Sequence, residues 1–103
     1  MAKVLEALIA RGRRVRRPRE QREVAFGLAD LSTHPDIYTR VVQKGGCKSL
    51  VQLLERSSDL ETQRFAALAL GNIGSTAENR VPMVQEGVVR PLIAYICRRV
   101  YER

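Results

Sequence analysis

Apolar positions recur along this chain at intervals of three and four, the spacing that gathers side chains on one face of an α-helix. The clearest run, Leu60 to Ile73, carries Phe65, Leu68, Ala69 and Ile73 at that spacing, behind Ser58 and Asp59 as N-cap candidates. Gly74 and Ser75 close it. A short helix is predicted from about Glu78 to Glu86, with Pro82 tolerable only near its first turn and Gly87 ending it as a C-cap glycine. Pro91 suits the first turn of a third helix carrying Leu92, Ile93 and Ile96. The order is long, short, then medium.

The same pattern occurs twice. A shift of 42 lays residues 21–56 on 63–98 without a gap and gives nine identities in thirty-six positions, among them Ala25/Ala67, Leu28/Leu70, Gly45/Gly87 and Leu50/Leu92. Phe26/Leu68, Leu31/Ile73, Val41/Met83 and Val51/Ile93 keep apolar bulk in register. A fixed period of this size marks a stack of supersecondary units. Residues 3–11 read as a further copy of one helix, with Leu5, Leu8 and Ile9 standing where Leu50, Leu53 and Leu54 stand, which makes about two and a quarter units.

The period, the glycine between short and medium helices, and the stretch Ala66-Ala67-Leu68-Ala69-Leu70-Gly71-Asn72-Ile73 resemble the armadillo repeat, whose third helix ends in an Ala-Leu-x-Asn-Leu pattern. Gln85-Glu86-Gly87-Val88-Val89-Arg90-Pro91 is similar to that family's junction of first and second helices. The resemblance implies an all-α fold, a right-handed α-solenoid of three-helix repeats. In its frame 3–11 is a partial-repeat helix, 18–33 a third helix, 35–75 one full repeat (35–45, 46–57 and 59–75) and 78–101 the start of the next. It also implies a concave groove lined by Glu23, Phe26 and Asp30 from one third helix and Phe65, Leu68 and Asn72 from the next. Import receptors of this fold carry Trp followed four residues later by Asn. Here the Trp positions hold Phe26 and Leu68 and one Asn position holds Asp30, a departure that argues against binding of basic import signals. Phe26, Phe65 and Leu68 also admit a plain reading as interhelical core.

Composition changes this picture little. Hydrophobic residues at 45% and charged residues at 28% are ordinary globular usage, and 5% aromatics with no Trp suit helices packed through small aliphatics. The charge of +7 permits an acidic partner without requiring one. Cys47 and Cys97 sit in a chain whose start lacks a secretory h-region, so the expectation is reduced thiols and a cytoplasmic location, with the nucleus left open. There is no run of about 18 apolar residues of the kind that spans a membrane.

Arg11, Arg13, Arg14, Arg16, Arg17, Arg19 and Arg22 form the strongest charge run. They can serve an acidic protein, a phosphoinositide or nucleic acid, or stand as a solvated loop. The span Arg11–Gln21 is three residues longer than Arg56–Gln63, which reads as an insertion outside the packing frame. His34-Pro35-Asp36 matches the tripeptide of chaperone J-domains. Gly27-Leu28-Ala29-Asp30-Leu31 precedes it where that family has a Lys/Arg-rich helix, and the repeat puts His34 in the same interhelix turn as Thr76. A helix-start turn is the better reading.

No metal set, phosphate loop or acid–base pair stands out, and no cofactor is expected. The function read from the sequence is a non-enzymatic scaffold that binds an extended peptide or partner protein on the concave face, with the Arg11–Arg22 cluster as the alternative site. Fewer than three repeats leave apolar ends, Val4, Leu5, Leu8 and Ile9 at one and Leu92, Ile93 and Ile96 at the other. The expectation is therefore a fragment of a longer solenoid or self-association through those ends.

Overall fold

The structure is a computed structural model that describes residues 2–101. Among the described residues there are seven α-helices and no strand: α1 (Ala2–Arg14), α2 (Pro18–Leu31), α3 (Pro35–Gln43), α4 (Gly46–Arg56), α5 (Leu60–Gly74), α6 (Ala77–Gln85) and α7 (Val89–Tyr101). Local chemistry sets their bounds. Pro18 and Pro35 open α2 and α3, where a missing N–H costs nothing. Asp59 caps α5 by accepting from the Thr62 amide. Gly45 and Gly87 turn the chain between short and medium helices at φ 79° and 80°, a region that disfavours any residue with a Cβ.

Each helix packs on the one three further along: α1 on α4, α2 on α5, α3 on α6 and α4 on α7. α1 also packs on α2, α3 on α4, α4 on α5 and α5 on α6, so the chain advances as a helical-repeat stack. The core runs through it as one cluster from Leu5 and Ile9 in α1 through Leu28, Leu50, Leu54, Leu70 and Ile73 to Met83 and Val88. Ala25, Ala29, Ala66 and Ala69 are all buried, and their small size lets α2 and α5 lie close together.

Two expectations fail at the first helix. α1 does not stop at residue 11; it runs to Arg14, and the turn to α2 is three residues long, as is the turn from α4 to α5. Gly12 is buried and Val15 packs against the core, so the arginine-rich segment belongs to the packing frame. The period of 42 continues through it, because Arg14 and Arg56 both end helices. Gln21 donates to the Val15 carbonyl as Gln63 donates to that of Ser57, one period on. Leu8 therefore stands at the place of Leu50 rather than Leu53.

The apolar stripe of α1 is covered as well. Leu5 and Ile9 are 1% and 4% exposed, Leu8 is half-buried, and only Val4 of that set is exposed. Close approach is the reason: a Cβ on Gly12 would lie 3.2 Å from that of Ser49, whose hydroxyl donates to the Ile9 carbonyl across the α1–α4 contact.

Pro82 also departs from expectation, standing sixth in α6 rather than in its first turn. It removes one helical N–H. Tertiary ties hold the element: Asn79 donates to the Ile73 carbonyl, and Arg80 donates to those of Gly74 and Ser75, fastening the start of α6 to the end of α5.

Across the α2–α5 contact, Arg22 makes a two-pronged hydrogen bond to Asp59 at 2.7 and 3.1 Å. Those bonds, and then the Thr62 amide, hold the Asp59 carboxyl well below the usual carboxylate range. A depressed folded-state pKa means that the carboxylate stabilises the fold fully above its unfolded value and loses that contribution as pH falls through the folded one. Asp59→Asn keeps a capping side chain without the charge. Wild type is expected to be the more stable at about pH 7, with the gap closing on acidification below about pH 4 in urea titrations. A gap independent of pH would show that the charge does not contribute.

Candidate interaction surfaces

The face shared by α2 and α5 carries the residues that the repeat pattern picks out. Glu23, Phe26 and Asp30 are exposed on α2, Leu68 is exposed on α5, and Phe65 and Asn72 are half-buried there. Phe26 and Leu68 leave 55% and 52% of their surface open, which rules out the reading of these two as interhelical core. Phe65 does both jobs, packing on the core and meeting Phe26 edge to face at 5.2 Å between ring centroids. Phe26 meets Phe65, which stands three positions before its own repeat equivalent, Leu68. Exposed Phe26 against half-buried Phe65, beside exposed Leu68 and with Glu23 and Asp30 on the same helix as Phe26, offers apolar contact and negative charge together.

The seven arginines do not act as one group. Arg22 is held by Asp59, and Arg19 lies 3.9 Å from Glu23. Arg13 donates to the Gly45 carbonyl. Arg13, Arg14 and Arg16, with Val15, Gln21 and Arg56, line an open cleft of about 570 Å³ at the α1–α2 turn. Beside it Arg11, Arg14, Arg16 and Arg17 line a second hollow with Val15 and Glu20. Arg56, 42 residues beyond Arg14, joins the site only through the α1–α4 contact. Its repeat equivalence to Arg14 was the signal available in the sequence.

At α6 and α7, Val84, Val89, Ile93 and Ile96 are exposed. A groove of about 420 Å³ runs there between Leu70, Gly74, Met83, Val88 and Leu92. One period earlier Leu28, Ser32, Val41, Gly46 and Leu50 occupy the same places and are buried.

His34 is the backbone N-cap of α3 and its side chain is exposed, matching the helix-start reading. Both cysteines are free; burial first, and Glu86 second, pushes the Cys47 thiol up to about 11, while Cys97 is exposed. Among the described residues no group of three His, Cys, Asp or Glu could hold a metal ion, and no helix is long and apolar enough to cross a membrane.

Residues 34–75, which comprise α3, α4 and α5, match the family model described as Armadillo/beta-catenin-like repeat. No curated protein and no solved structure matches the chain. The helical stack and this matched unit together define a helical-repeat protein of the kind that mediates protein interactions.

Proposed function

We propose that the chain is a right-handed armadillo-type solenoid of three-helix repeats, about two and a quarter of them, that binds an extended peptide or partner protein on the α2–α5 face. The stacking of every helix on the one three further along supports this reading, as does the persistence of the period from Arg14 to Arg56. The observation that carries the binding site is exposed Phe26 stacked edge to face on half-buried Phe65, with exposed Leu68 beside them. Aromatic rings on a rigid pair of helices bring contact area at low conformational cost. Glu23 and Asp30 favour a segment that is basic or rich in amides, and the Asn72 side chain can donate to and accept from a peptide backbone. Self-association through the exposed α6–α7 face belongs to the same reading.

The test is Asp30→Ala with Asn72→Ala against a partner recovered from cells with this protein. Affinity is expected to fall while the melting temperature stays within a few degrees, as for surface positions worth about 0.5 kcal/mol or less each. Unchanged affinity would move the binding site off this face.

A further inference from the structure

The cleft at the α1–α2 turn asks for a ligand because it gathers more arginines than the fold requires. The α4–α5 turn makes the same connection, of the same length, with different residues. One period on, Glu55 stands for Arg13, Ser58 for Arg16 and Asp59 for Arg17, while Arg56 repeats Arg14. The equivalent hollow, lined by Leu60, Gln63, Arg98 and Arg99, is about 230 Å³, less than half the size. There Arg99 donates to the Gln63 amide oxygen and lies over the Tyr95 ring. Packing therefore accepts serine and carboxylates at these positions; Arg13 donates to the Gly45 carbonyl, and Arg16 and Arg17 are surplus to the packing.

The plain alternative is that they neutralise helix ends. α1 and α4 both terminate at this cleft, and each C-terminus presents about half a negative charge. Four guanidinium groups line the cleft itself and Arg11 and Arg17 border it, against Glu20 as the one carboxylate in either lining. Helix ends balance only a small part of that charge.

We propose that this cleft binds a compact polyphosphate: a small ring or chain carrying several phosphomonoesters, either free or as a lipid headgroup. Guanidinium forks pair with phosphate oxygens two at a time, and arginines from α1, the turn and α4 converge from several directions on one concave volume of about 570 Å³. That size falls within the range of small-molecule sites. No aromatic side chain lines either hollow, so nucleobases would find no stacking surface. The site is separate from the α2–α5 face and does not depend on its reading.

The probe is myo-inositol hexakisphosphate, titrated by calorimetry into the full chain at physiological salt. Micromolar binding is expected, with an accompanying rise in melting temperature. Arg16→Ser with Arg17→Asp installs the residues that the second turn carries at the same places, and should weaken binding at least tenfold with the helix content unchanged. Arg98→Ser, in the equivalent hollow, should change it less than twofold. Vesicles containing phosphatidylinositol bisphosphate, compared with vesicles of phosphatidylserine at equal charge, separate the two sources. Binding only to the free probe assigns a soluble ligand, and selective binding to the inositol lipid as well assigns a headgroup. Absence of saturable binding, equal binding by the double variant, or an equal response to sulfate at matched ionic strength would overturn the proposal. So would binding of an acidic phosphopeptide or a single-stranded RNA in place of the probe.

Discussion

Leu50→Ala is expected to destabilise the protein by about 2–5 kcal/mol, a large share of the roughly 5–15 kcal/mol that holds a domain of this size together. Leu50 is wholly buried, and its helix is the hub of the stack, packed against α1, α2, α3, α5 and α7. Truncation opens a cavity that five rigid neighbours cannot all move to fill, which puts the cost toward the upper end of that range. Leu92, its equivalent one period on, is half-buried and borders the open groove, so Leu92→Ala should cost clearly less. Urea unfolding of the two variants measures the difference. Equal losses would mean that the α6–α7 end is packed as tightly as the centre.

A carboxylate at Ala66 should all but abolish the native stack, whereas one at Leu68 should leave it standing. Ala66 is wholly buried, and a charge there loses its hydration with no cation designed to meet it, a penalty of at least several kcal/mol. Leu68, two residues on, points to solvent with half its surface open. A charge there should change stability by about 0.5 kcal/mol or less, yet it interrupts the apolar strip next to the Phe26–Phe65 pair. Circular dichroism should show Ala66→Asp with a collapsed thermal transition and Leu68→Asp with a native one. Under the proposed function, Leu68→Asp loses partner binding. A folded Ala66→Asp would mean that α2 and α5 separate readily, and the face they form could not be the rigid site described.

Much of the fold is legible in the sequence because its local signals and its long period agree. Asp59, Pro35 and Gly87 fix helix ends through capping, the loss of an N–H and φ, all of which act within a few residues. The doubled pattern 42 residues apart points to stacking before any contact is known. What fails lies at the edges of that pattern. The arginines after Leu8 hide the end of α1, since a run of like charges reads as a loop. It is a helix because Gly12 lets α1 settle on Ser49 of α4. Pro82 looks confined to a first turn, and the ties from Asn79 and Arg80 to the end of α5 keep it inside a helix.

Sequence alone determined the helical period, the Asp59 cap, the all-α class and which residues share a face of α2 and of α5, because each follows from spacing and side-chain chemistry along one element. Tertiary structure decided which members of those faces meet. The α2–α5 packing sets Phe26 against Phe65, with the buried small residues Ala25, Ala29, Ala66 and Ala69 letting the two helices settle. It also divided the arginines, turning Arg22 to Asp59 and gathering Arg14 with Arg56 across α1 and α4. Charge pairing of that kind depends on distances between elements, which a linear pattern does not contain.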